Sequence, residues 1–404
     1  MDANADEGCG PTADIASAVS SRRIPMEASG QTITSPVGNP PRTILPLAGI
    51  NGSLLFLRRE WITEIVRDRQ RRAGRPMRLT PGKLRGLKAV SSRQGIIAAL
   101  AMDQRGSLQR ALRDTSGKPN LEGFKTAVTE TLTPHASAVL LDPEWGLTAA
   151  KHRAKGTGLL LAYEKTGYDT SEPGPLPALL NLWSVRRLKE AGADCVKILL
   201  YYNPFEAGAV NDQKHAWIER VGAECSAYDI PFFLELVGYE DGTDAKSLEY
   251  ARKKPRIVQT STAEFTKGQY CVDILKVEIP FNLAFVEGTR AFSGAKAYGR
   301  QEAMRLLREA AEVATKPFIY LSGGAGNAEF VESLELAAEA GVQFNGVLCG
   351  RATWKDGIPA FQKNGMEAFR LWLKEEGVKN ISRVNQALRS ATPWYGLYGV
   401  GSAA

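Results

Sequence analysis

The feature that most constrains the fold is a recurrence of short apolar runs rich in Val, Ile and Leu, separated by longer polar segments of helical period. Eight such runs follow residue 80, at 96–102, 138–141, 158–163, 195–202, 231–237, 273–279, 317–321 and 346–349. A strand that is apolar on both faces must be covered on both faces, the condition of a parallel sheet whose crossover helices pack outside it. Eight strand–helix repeats in about 300 residues, with no GxGxxG turn after the first run, favour a closed (β/α)8 TIM barrel over an open doubly wound sheet.

The chain has 404 residues, more than such a barrel needs, and the surplus lies at the N-terminal side. Residues 1–76 read as an extension. Its first part is rich in Ala, Ser, Gly, Thr and Pro without a sustained period and is expected to be disordered. Leu54, Leu57, Trp61, Ile62 and Ile65 then recur at helical spacing among arginines, which predicts a basic amphipathic helix. The barrel domain is expected over 77–404.

The formal net charge of +7 calls for an anionic partner, yet much of the excess lies among the arginines between Arg58 and Arg78. Basic residues do not interleave with aromatics, so a nucleic-acid partner is not indicated, and phosphorylated small molecules are sufficient. No apolar run reaches the roughly 18 residues that span a bilayer, and no charged start leads into an apolar core, so neither a membrane partner nor secretion is expected. Cys9, Cys195, Cys225, Cys271 and Cys349 form no CxxC pair and suit a reducing cytoplasm. A homo-oligomer is compatible with this sequence and not specified by it.

In barrels of this kind chemistry gathers at the carboxyl ends of the strands. Run one ends in Asp103-Gln104-Arg105, run two in Asp142-Pro143-Glu144 and run three in Glu164-Lys165. Runs four, five and six contain Lys197, Glu235, and Lys276 with Glu278; runs seven and eight end in Ser322-Gly323-Gly324 and Gly350-Arg351.

Alternation places Lys276 on one face with Ile274 and Glu278. Burial disfavours an ammonium, so an inward lysine is expected to have a lowered pKa and to expose free amine, the form that attacks a ketone to give a carbinolamine and then an imine. Lys197 presents the same oddity, and two inward lysines would depress each other further, leaving one as nucleophile and one charged. The alternative for each is an ion pair with a neighbouring carboxylate or a reach to the rim. Glu235, flanked by leucines, is the candidate general acid/base, expected to have a raised pKa, with Glu164 and Asp103 in reserve. The LSGGAG segment and Arg351 occupy the place where barrel enzymes hold a phosphate. His135, His152 and His215 match no metal-ligand spacing, so neither metal nor cofactor is expected.

With these residues assembled, the sequence resembles the class I tagatose 1,6-bisphosphate aldolase family from about Leu79 to Leu388, on the motifs LTPGKLRGL, AMDQRG (101–106), LLDPEWG (140–146), YEKTGY (163–168), ADCVKILLYY (193–202), FFLELVGY (232–239), VDILKVEIP (272–280) and LSGGAG (321–326). The resemblance implies cleavage of a ketose bisphosphate between C3 and C4 into dihydroxyacetone phosphate and glyceraldehyde 3-phosphate. It implies Lys276 as the Schiff-base lysine and Glu235 as the proton carrier, with Asp103, Gln104 and Lys197 at the substrate and Ser322, Gly323, Gly324 and Arg351 around a phosphate. For the far-end anion, Arg105 and Lys165 are the residues suggested. The alternatives are a class I aldolase for fructose 1,6-bisphosphate or sulfofructose phosphate, and, more remotely, a non-catalytic sugar-phosphate sensor.

Overall fold

The computed structural model describes residues 78–112, 120–165 and 174–401, so the extension expected over 1–76 and its basic helix lie outside the described residues. Eight parallel strands close a barrel: β1 (Ile97–Ala101), β2 (Ala138–Leu141), β3 (Gly158–Ala162), β4 (Cys195–Tyr202), β5 (Phe232–Gly238), β6 (Ile274–Val277), β7 (Phe318–Tyr320) and β8 (Gly346–Cys349). Neighbours in the barrel are neighbours in sequence, and β8 returns to pair with β1. Each expected run coincides with one strand. A two-residue pairing of Val286–Glu287 with Tyr298–Gly299 lies outside the barrel and had no signature in the periodicity.

The strands are apolar throughout because alternate residues serve different layers. Ile97, Ala99, Ala138, Leu140, Leu160, Cys195, Phe233, Ile274, Ile319 and Leu348 belong to one buried cluster inside the barrel. Leu100, Val139, Leu161, Val196, Leu234, Leu275 and Val347 belong to the larger cluster between strands and helices. Closure depends on Gly346, at φ +135°, where an added Cβ would lie 1.9 Å from the Ile97 carbonyl oxygen. No side chain fits between β8 and β1 at that point.

The amino-terminal end of the barrel is plugged. Helix α1 (Pro81–Ala89) packs Leu87 against Trp394, Tyr395 and Tyr398, which join the interior cluster. The Trp394 indole donates to Ser91 Oγ at 2.8 Å, Tyr398 donates to the Asp273 carbonyl at 2.6 Å, and Lys83 pairs with Asp273 at 2.8 Å. Water therefore reaches the barrel interior from the carboxyl ends of the strands.

Three outer helices carry side chains that matter below. α2 (Leu121–Leu132) is capped by Asn120, which accepts from Gly123 N at 2.8 Å, and α3 (Leu248–Phe265) by Ser247, which accepts from Tyr250 N at 3.1 Å. α4 (Asn327–Glu339) follows the glycine-rich segment after β7.

Trp394 is fully buried. Replacing it with alanine is expected to lower the unfolding free energy by about 3–5 kcal/mol, measured by chemical denaturation. An unchanged denaturation midpoint would show that the plug does not support the barrel.

Candidate active site

Strand register sets the site. Ala162 lies opposite Lys197, Leu199 opposite Glu235, Glu235 opposite Lys276 and Lys276 opposite Ile319. Inward positions of β4, β5 and β6 thus carry charge one step above the apolar floor. Glu235 joins the two lysines: Oε2 is 2.8 Å from Lys197 Nζ and Oε1 is 2.8 Å from Lys276 Nζ. Lys197 also meets Asp103 at 2.9 Å and Glu164 at 3.0 Å, and its side chain is fully enclosed.

Two pKa expectations are overturned by these contacts. Burial works against the Lys197 ammonium, but Asp103, Glu164 and Glu235 together outweigh it and raise its pKa well above the ordinary lysine value. Burial likewise pushes the Glu235 carboxyl upward, and the Lys197 and Lys276 ammoniums reverse it, holding its pKa below the ordinary carboxylate value. The carboxylate form of Glu235 is therefore favoured, with Oε1 2.8 Å from Lys276 Nζ. Asp103 is also held low: burial raises it, and Lys197 and Lys276 more than compensate. Glu164 goes the other way, because burial exceeds what Lys197 and Arg105 supply, and its Oε2 has no hydrogen-bond partner.

A cavity of about 780 Å³ opens above this cluster. Lys276, Glu235 and Gln104 line it, and so do Ser322, Gly323, Gly324 and Arg351. Gly323 and Gly324 have φ of +58° and +90°, and a Cβ on Gly324 would lie 3.2–3.4 Å from the Arg351 guanidinium. Glycine here lets backbone amides and a guanidinium stand side by side, a geometry suited to an anion. Asp103 and Lys197 are not among the lining residues; they back Glu235.

The residues suggested for a far-end anion are placed elsewhere. Arg105 is buried, donating to Glu144 at 2.9 Å and to the Glu164 carbonyl at 2.7 Å, so it ties loops together. Lys165 is exposed and does not line the cavity. His135 and His152 lie on the surface, His152 beside Glu130, while His215 packs among Tyr202, Phe265 and Tyr270.

Lys125 was not singled out from the sequence. It is fully buried, donates to the carbonyls of Met102 and Gln104 at 2.8 and 2.9 Å, and pairs with Asp142. It thereby fixes the chain that carries Asp103. Its signal was position: it falls on the same helical stripe as Leu121, Val128 and Leu132, where an apolar residue belongs.

The barrel and the relatives of this sequence place it in one class, the barrel aldolases, which are carbon–carbon lyases. Within that class the chain belongs to the DeoC/LacD family of aldolases, whose family model matches residues 97–356. It is similar to the tagatose 1,6-diphosphate aldolase of Listeria monocytogenes serotype 4a, with 48% identity over 328 residues, covering 80% of this chain and 96% of that protein. It is also similar to tagatose 1,6-diphosphate aldolase 2 of Enterococcus faecalis, with 50% identity over 323 residues, covering 78% and 97%. Among solved structures, the fructose-bisphosphate aldolase of Plasmodium falciparum superposes with a TM-score of 0.52 at 14% identity, over 80% of this chain and 97% of that one, a likeness of fold. No helix among the described residues is long and apolar enough to cross a membrane.

Because Asp103 and Glu235 titrate lower folded than unfolded, the stability they contribute is complete above the ordinary carboxylate range and is lost as pH falls through their folded values. The melting temperature is expected to drop on acidification below about pH 5, and less steeply in Asp103→Asn. Parallel pH profiles for the two proteins would remove Asp103 from that account.

Proposed function

We propose that this aldolase cleaves tagatose 1,6-bisphosphate through a Schiff base on Lys276, giving dihydroxyacetone phosphate and glyceraldehyde 3-phosphate. The observation that carries the reading is the Glu235 carboxylate set between Lys276 and Lys197, whose ammonium form is favoured by three carboxylates. The named relatives, at 48% and 50% identity, support the substrate.

The chemistry follows from the contacts. Glu235 takes a proton from the Lys276 ammonium, and the free amine adds to C2 of the ketose. The carbinolamine hydroxyl then leaves as water with the proton that Glu235 returns, and an iminium remains on Lys276. Glu235, again a carboxylate, accepts the C4 hydroxyl proton as the C3–C4 bond breaks and its electron pair passes into the iminium as an enamine. The aldehyde departs, a proton returns to C3, and water releases the ketone. Lys197 stabilises the carboxylate form of Glu235 whenever the proton has been passed on, with Asp103 balancing the Lys197 charge. Ser322, Gly323, Gly324 and Arg351 hold the phosphate on C1, and Gln104 contacts the sugar.

Among the described residues, the free thiols of Cys195, Cys225, Cys271 and Cys349 fit a cytoplasmic enzyme. A single experiment tests the whole reading. Borohydride added during turnover of tagatose 1,6-bisphosphate is expected to inactivate the enzyme and leave a reduced adduct on the peptide carrying Lys276. Lys276→Met is expected to lose on the order of 10⁴-fold or more in kcat/KM, and Glu235→Gln about 10²- to 10⁴-fold. Undiminished turnover by Lys276→Met, or an adduct on another lysine, would overturn the assignment.

A further inference from the structure

A ketose bisphosphate brings two anions, and the Ser322–Arg351 corner accounts for one. Of the described residues lining the cavity, four carry a cationic side chain: Lys246, Lys254, Lys276 and Arg351. With Lys276 as nucleophile and Arg351 on the first phosphate, the remaining positive charge belongs to Lys246 and Lys254.

Lys254 projects from α3 and is largely enclosed, its Nζ 3.0 Å from Glu278 Oε1. The other oxygen of Glu278 accepts from Gly238 N at 2.7 Å, so this carboxylate is fixed at both ends. It uses one of the three donors of the ammonium. Tyr250, 3% exposed and lining the same cavity, has a hydroxyl with no hydrogen-bond partner. Burial first, then Glu278 and Glu240, push its pKa upward, which keeps the phenol a neutral O–H donor. Lys246, exposed on the adjoining loop, adds a second positive charge to this edge.

Glu278 follows β6 directly, two residues beyond Lys276 towards the mouth, so its partner Lys254 meets the cavity on the outer side of the nucleophile.

Resting on the Schiff-base reading above, we infer that Lys254, oriented by Glu278 and joined by the Tyr250 hydroxyl, receives the phosphate monoester at the far end of the ketose. The Lys254 seat therefore selects bisphosphates over ketose 1-phosphates, while bond cleavage stays with Lys276 and Glu235.

The test compares full-length wild type and Lys254→Met on tagatose 1,6-bisphosphate and on tagatose 1-phosphate, which lacks the far-end group. The variant is expected to lose about 10- to 100-fold in kcat/KM on the bisphosphate and to change less than about 2-fold on the monophosphate. Lys254→Arg is expected to retain most of the bisphosphate activity. Equal losses on both substrates would mark Lys254 as merely structural, and undiminished bisphosphate activity would place the second anion elsewhere; either result overturns the proposal. Borohydride trapping of wild type on the bisphosphate keeps the two readings apart. An adduct missing from Lys276 sinks the nucleophile, whereas the substrate split of Lys254→Met judges the seat alone.

Discussion

The site depends on one carboxylate shared by two ammoniums. Two lysines facing each other in a closed barrel would be costly, since each loses its water and repels the other. Glu235 removes that cost by presenting one oxygen to each, and Asp103 and Glu164 complete the compensation around Lys197. The asymmetry is what the proposed chemistry uses. Lys197 has three carboxylate neighbours, which raise its pKa, whereas Lys276 meets one, the Glu235 carboxylate.

That arrangement exists because the barrel closes with a fixed register. A one-residue slip between β5 and β6 would turn Glu235 or Lys276 outward among the leucines of the helix layer. Closure at Gly346 and the packed layer of Ile97, Phe233, Ile274 and Ile319 hold the register below, while the mouth above remains open to ligand. Lys125 serves the same end from outside, clamping the carbonyls of Met102 and Gln104 on either side of Asp103.

The fold was legible because burial on both faces leaves an unmistakable apolar strand, and eight of them leave few topologies. The identity of the polar cluster was legible too, since Lys197, Glu235 and Lys276 each interrupt such a strand. Their ionisation was not. From the sequence, Glu235 sits among leucines and reads as a raised carboxyl; only the cross-strand register brings two ammoniums within 2.8 Å and reverses the sign. Arg105 failed for a related reason, as its position at a strand end says nothing of the Glu144 and Glu164 contacts that hold it. Lys254 lies on a helix, where a lysine is ordinary, and nothing in its local pattern marks the cavity beside it.

The aromatic plug carries a consequence for biogenesis. Trp394 bonds to Ser91 at a sequence separation of 303. While the ribosome is still making the later strands, the underside of β1 lacks the Trp394, Tyr395 and Tyr398 part of its cover, with Leu87 and Val90 already synthesised beside it. Contacts of such sequence separation form late and slowly. The plug can therefore seal the barrel only after residues 394–398 have left the exit tunnel.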